Sequence, residues 1–136
     1  MGANINWIGA ALATMSALGL AALWYSPWMF GNTWRLAGPK QARVGQDRSS
    51  KIKRFSVSTL AMFASAVIFA AFLGDATFGL ATMAGFSAGL FWIALSLGVS
   101  YALEPRPFAL FVVNSAYHIL QFTLYGLCIG AANTYL

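Results

Sequence analysis

The chain has 136 residues, 60% hydrophobic and only 8% charged, where ordinary globular proteins carry about 25% charged residues. So few charges cannot clothe a water-facing surface, and the net charge of +5 does not mark a nucleic-acid partner. Seven of the eight basic residues crowd into one stretch (Arg35, Lys40, Arg43, Arg48, Lys51, Lys53, Arg54), which is the positive-inside pattern of a membrane protein.

The length suggests one integral membrane domain over residues 1–136. Crossing about 30 Å of hydrocarbon takes about 20 helical residues, and four apolar segments meet that need: 6–29, 55–74, 80–103 and 108–132. No period-two alternation of polarity marks barrel strands, so helices remain the way to satisfy the backbone in lipid. The expected fold is all-α, a four-helix antiparallel transmembrane bundle. The N-terminus has no basic n-region and no small-residue cleavage site, so the first segment is expected to be retained as a helix.

That first helix closes on Trp24-Tyr25-Ser26-Pro27-Trp28-Met29-Phe30-Gly31-Asn32-Thr33-Trp34. Tryptophan and tyrosine gather where hydrocarbon meets headgroups, because each ring is apolar with one hydrogen-bonding edge. Pro27 stops the helix and Gly31 lets the chain turn. Residues 30–36 are expected to lie flat on the membrane, with Phe30 and Trp34 dipping in. The basic loop 31–54 comes next, carrying one acid, Asp47, and ending on Lys51, Lys53 and Arg54 within reach of anionic headgroups. The second loop has Asp75 and no base; the third, Glu104-Pro105-Arg106-Pro107, is balanced. The bias of lysine and arginine predicts a cytoplasmic first loop and both termini outside.

Small residues recur at four-residue spacing: Gly9, Ala13, Ala17 and Ala21; Ala66, Ala70 and Gly74; Gly85 and Gly89; Gly126 and Gly130. Such rows let membrane helices approach closely, within the bundle or against a second copy.

The last helix holds the most informative side chains. Asn114, His118, Gln121 and Tyr125 occur at steps of four, three and four, which places them on one face. Cys128 extends this stripe and Tyr117 flanks it. Polar groups of this kind avoid lipid, so the stripe is expected to face the interior or a partner subunit. Ser96 and Ser100, on one face of the third helix with Trp92, are candidate partners. His118, about 15 Å below the cytoplasmic face, lies at the depth of Ser16. Asn114 lies level with Trp24 and Tyr25, while Asn6 and Cys128 sit toward the outer end. The stripe either fixes helix register or lines a pocket made by Asn114, His118, Gln121, Tyr125, Ser96, Ser100 and Ser16.

Catalytic sets are missing from the sequence. No span holds a carboxylate pair for acid–base hydrolysis. One histidine and one cysteine cannot enclose a zinc, and the lone Cys128 forms no intramolecular disulfide. Ser26 has no nearby base and reads as a helix-end residue. The glycines form no phosphate-binding loop, and no intramembrane acid or broken helix suggests an ion-coupled transporter. No metal, no cofactor and no enzymatic activity are expected.

Asn6-Trp7, Leu23-Trp24-Tyr25-Ser26-Pro27, Phe30-Gly31, Trp34 and the later Asn114-Ser115-Ala116-Tyr117, Gly126 and Gly130 resemble a family of small bacterial membrane proteins known only as a domain of unknown function. That resemblance implies a four-helix inner-membrane fold and brings no activity. The leading expectation is a non-enzymatic interaction protein, a homo-oligomer or accessory subunit packing against other membrane helices or lipid. The alternative is a small transporter or ligand-binding protein using the stripe, its ligand unnamed by the sequence.

Overall fold

The computed structural model describes residues 5–26, 28–30, 48–104 and 107–136. Pro27, Gly31 and Trp34, the flat segment beyond Phe30, the basic residues Arg35, Lys40 and Arg43 with Asp47, and Pro105 and Arg106 lie outside the described residues.

Among the described residues four helices form, each long and apolar enough to cross a membrane by length and composition, and there is no strand. Helix α1 spans Trp7–Trp24. It starts where Asn6 turns extended and its side-chain oxygen accepts the Gly9 N–H at 3.0 Å, satisfying a donor that the first turn leaves orphaned. It ends at Trp24, not at 29 as the apolar run predicts. A proline in sequence after Ser26 drives that residue out of the helical region and removes a donor. The chain turns there instead: Ser26 Oγ donates to the Leu23 carbonyl at 2.6 Å, and Phe30 N to the Trp24 carbonyl at 3.0 Å.

Helix α2 spans Arg48–Leu73, so the expected start at 55 falls too late and the expected loop too long. Lysine and arginine are good helix formers whose stems carry their charge to water; the helix therefore outlasts the apolar stretch that announces it. Gly74 succeeds it at φ 57, a left-handed turn suited to glycine. Helix α3 spans Phe78–Leu103, and helix α4 spans Phe108–Tyr135, three residues beyond the expected end at 132. The extra turn of α4 is held because Asn133 Nδ2 donates to the Gly74 and Ala76 carbonyls (2.9 and 3.1 Å), and Thr134 Oγ1 accepts from Phe78 N at 3.1 Å.

Helix α4 is the hub. It packs extensively against α3 and α1, while α2 leans chiefly on α1. Pairings run antiparallel: Asn6 meets Asn133 and Trp24 meets Val113; Gly130 meets Phe78 and Gly89 meets Ile119. The small-residue rows make these contacts. Ala10, Ala13, Ala17, Ala66 and Ala70 are fully buried around Tyr125 and Ile129. Between α3 and α4 the backbones touch: a Cβ on Gly126 would overlap the Ala81 carbonyl, one on Gly85 the Phe122 carbonyl, and one on Gly89 would lie 2.7 Å from Ile119 Cα. Gly85, Gly89, Gly126 and Gly130 are therefore consumed inside the chain. Large apolar side chains such as Met15, Ile68, Phe72, Met83 and Leu103 point outward, as they do toward lipid.

In α3 the segment Ala88–Ala94 is π-helical. Such a segment carries one residue more than an α-helical turn would, and rotates the downstream part of the helix by roughly 100°. Ahead of it Ala81 and Gly85 face inward, and so do its first two residues, Ala88 and Gly89. An unbroken helix would continue that face through 92, 96 and 100. Instead Ala94 is buried, Ile93, Leu97, Gly98 and Tyr101 are half-buried, and Trp92, Ser96 and Ser100 are exposed. The expected pairing of Ser96 and Ser100 with the α4 stripe is thereby overturned: they do share a face with Trp92, and it faces away from α4.

The glycine contact predicts a sharp contrast. Gly126→Ala should destabilise the bundle by about 2–3 kcal/mol, the range for over-packing against atoms that cannot yield. Gly19→Ala, with nothing within 4 Å of the added carbon, should be neutral or stabilising by up to about 1 kcal/mol. Thermal unfolding in detergent, monitored by circular dichroism, checks the pair; equal responses would contradict the backbone contact.

Candidate functional site

Helix α4 carries its polar groups into three separate networks, one at each end of the bundle and one between. At the end where α2 begins, Tyr25 Oη donates to Asn114 Oδ1 at 2.7 Å and Asn114 Nδ2 donates to Tyr101 Oη at 2.8 Å. Trp24 Nε1 donates to the Val113 carbonyl at 3.0 Å. One amide thus ties α1, α3 and α4 through Tyr25 and Tyr101, and Trp24 joins α1 to α4 at the same level through the Val113 carbonyl. Tyr101 gains this place from the π segment. The ring of Trp24 also packs on Phe30 at 4.5 Å, and that of Tyr25 on Tyr117 at 5.5 Å.

At the opposite end Asn6 Nδ2 donates to Asn133 Oδ1 at 3.1 Å, and Asn133 in turn holds the turn between α2 and α3. Asn133 is absent from the sequence reading, because a polar residue at the end of an apolar run reads as a terminus. Its one signal is that Asn6 lies at the same end. Near this end Ser16 Oγ and Cys128 Sγ approach to 3.3 Å. Ser16 therefore pairs with Cys128 and not with the depth of His118; counting residues from each helix start ignores that α1 stops at Trp24.

Between the ends runs a chain of hydrogen bonds. His118 Nδ1 meets Gln121 Oε1 at 3.1 Å, Gln121 Nε2 donates to Tyr125 Oη at 2.8 Å, and Tyr125 Oη donates to the Met62 carbonyl of α2 at 2.9 Å. Its direction is set from the far end. A backbone carbonyl only accepts, so the tyrosine hydrogen goes to Met62. Gln121 must then offer its NH₂ to Tyr125 and its oxygen to the imidazole. That oxygen also only accepts, so Nδ1 of His118 carries the hydrogen and Nε2 is left as an acceptor. Among the described residues Nε2 has no hydrogen-bond partner. Gln121 and Tyr125 are buried; His118 is half-buried.

His118 stands on the wall of a cleft of about 750 Å³ bounded by α1, α2 and α4, with α3 touching it at Ile93. Tyr25, Tyr117, Gln121, Ser58 and Ser65 supply its other polar groups; Leu18, Phe55, Met62 and Phe122 supply apolar wall. Among the described residues Arg54 is the one charged side chain on its lining. The cleft exists because α2 and α3 scarcely pack on each other; they meet through the rings of Phe72 and Trp92, 6.2 Å apart. Its volume lies within the roughly 300–1,000 Å³ of small-molecule sites.

Of the stripe, His118, Gln121 and Tyr125 are brought together, Asn114 serves the neighbouring network, and Cys128 serves Ser16. Ser96 and Ser100 join none of them. Arg54, Ser58 and Ser65 are lining residues that sequence reasoning missed, since α2 shows no polar stripe strong enough to single them out. Among the described residues no cluster of histidine, cysteine or acidic side chains could hold a metal ion.

Residues 8–130 match the family described as a protein of unknown function, DUF1761, and the chain belongs to that family. No curated protein and no solved structure matches it.

The hydrogen-bond direction is open to direct test because His118 is the sole histidine. Protein labelled with ¹⁵N in histidine should give one imidazole in the Nδ1–H form. Gln121→Leu should convert it largely to the Nε2–H form usual for a ring with no constraint on Nδ1. An Nε2–H imidazole in the wild type would refute the proposed hydrogen-bond chain. Separately, Tyr25→Phe and Asn114→Leu should each cost about 1 kcal/mol in unfolding free energy. The double variant should cost less than their sum, since both delete the same bond.

Proposed function

We propose that this family member is a membrane-embedded binding protein, without enzymatic activity, that takes a small lipid-soluble molecule into the cleft beside His118. One observation carries the reading: a one-way hydrogen-bond chain leaves a single imidazole nitrogen as acceptor on the wall of a cavity of ligand size. An unpaired acceptor in hydrocarbon costs several kcal/mol, so a molecule with an O–H or N–H donor and an apolar body suits it. The apolar wall offers such a molecule a site without acid–base partners, in keeping with a carrier or sensor and not a catalyst.

We place the protein in the bacterial inner membrane, with the basic connection between α1 and α2 in the cytoplasm and both termini outside. The competing reading is an interaction protein, a homo-oligomer or accessory subunit in a larger membrane complex. It drew on glycine rows free to meet a second copy, and those at Gly85, Gly89, Gly126 and Gly130 are taken up between α3 and α4. For a protein partner the exposed apolar side chains of the helices would remain, and with them the first half of α2, where residues 51–58 are all exposed.

The test uses 1-naphthol as a hydroxyl donor and naphthalene as its matched control, with the ¹⁵N imidazole signal as the readout. Naphthol should shift Nε2 with saturation, and naphthalene should leave it in place. Ala61→Phe, which fills the cleft from an exposed lining position, should abolish the response without altering the helical spectrum. Identical responses to the two compounds, or no response to either, would remove the reading.

A further inference from the structure

The cleft has a polarity along its length. On α2 its lining runs from Arg54 to Ser65, eleven residues or about 16 Å of helix. That is half of the roughly 30 Å hydrocarbon thickness, the depth of one leaflet. The charged end lies level with the Tyr25–Asn114 network: α2 and α4 run side by side with Gly74 at Asn133 and Met62 at Tyr125, and Arg54 and Asn114 lie about equally far back along the two helices. There α1 stops, α2 begins, and α3 passes to α4, which is where the apolar spans meet the headgroup layer. His118 sits one turn of α4, about 6 Å, deeper than Asn114. Beyond it the lining is Met62 and Phe122, with Gln121 and Ser65 both engaged by Tyr125.

Three chemical requirements thus occur in order from the surface inward. Arg54 calls for an anion, and among the described residues no acidic side chain lines the cleft to neutralise it. The Nε2 atom of His118 calls for a hydrogen-bond donor about one helical turn below that anion. The remaining length calls for a hydrocarbon chain. The walls of the slot are loosely joined, since α2 packs little on either α3 or α4 and α3 reaches it at Ile93.

We infer that the occupant is a single-chain anionic lipid with a hydroxyl next to its headgroup, the chemistry of a lysophospholipid, its phosphate on Arg54, its glycerol hydroxyl on His118 and its acyl chain in the slot. The inference rests on the cleft being a ligand site, as proposed above, and adds the class of ligand. A diacyl lipid of the same headgroup lacks that hydroxyl and brings a second chain. Lysophosphatidylcholine keeps the hydroxyl and the single chain, and its choline cancels the negative charge.

The experiment places the full chain, ¹⁵N-labelled in histidine, in zwitterionic bicelles and titrates three probes: oleoyl-lysophosphatidate, oleoyl-lysophosphatidylcholine and dioleoyl-phosphatidate. Lysophosphatidate should shift the Nε2 signal with an affinity about fivefold above lysophosphatidylcholine, the contribution of one basic side chain at a membrane surface. Arg54→Gln should erase that preference. Lys51→Gln removes the same charge one turn away without touching the cleft, and should preserve it. Equal loss with Lys51→Gln would mean unspecific attraction to a basic surface and overturn the inference. So would a response to dioleoyl-phosphatidate as strong as that to lysophosphatidate, or no preference between the two single-chain lipids. If these lipids fail while 1-naphthol still shifts His118, the ligand class is wrong and the binding reading stands; if naphthol fails too, both fall.

Discussion

The close approach of α3 and α4 governs the rest of the bundle. Four glycines let two backbones meet where any side chain would keep them apart, and a membrane offers no hydrophobic gain from helix pairing to replace that contact. Once the two helices are joined so tightly, α4 has α1 on a second side, and α2 is left to lean on α1. The gap between α2 and α3 is the geometric remainder of this arrangement. The cleft is therefore a product of which helix pair packs best.

Hydrogen bonds then set the details that packing leaves undetermined. Each of the three networks ends on a backbone carbonyl or an amide that joins different helices: Val113 and Asn114, Met62, and the turn held by Asn133. In lipid the alternative to such a bond is an unsatisfied group costing several kcal/mol, although each bond adds only about 1 kcal/mol over other arrangements. Their main effect is on register and direction. The clearest case is the path from Met62 to His118, where an acceptor that cannot donate dictates the protonation pattern of a ring two side chains away.

Much of the architecture was legible. Number and type of helices derive from apolar length alone, and the small-residue rows on α1, α3 and α4 lie where helices touch. The stripe on α4 was visible as a pattern because α4 is regular throughout. Each feature that escaped had a local physical cause. A proline shortened α1 below its apolar run, and basic residues lengthened α2 beyond its own. Ser96 and Ser100, expected to partner the α4 stripe, miss it because the inward face of α3 shifts across Ala88–Ala94. No residue in that segment announces the change of helix type. The cleft was invisible for a related reason, since it is defined by where two helices fail to meet.

The π segment also changes how α3 should be compared with other chains. Across it the inward face steps from Gly89 to Ile93, Leu97 and Tyr101, one position later than a uniform helix would give. In alignment terms the segment is an insertion that leaves no loop behind. A relative with one residue fewer between 88 and 94 would present the counterparts of Tyr101 and Gly89 to the same neighbours through an ordinary helix. Ungapped alignment of two such sequences would pair inward residues with lipid-facing ones along the whole second half of the helix, and divergence counted there would be an artefact of phase.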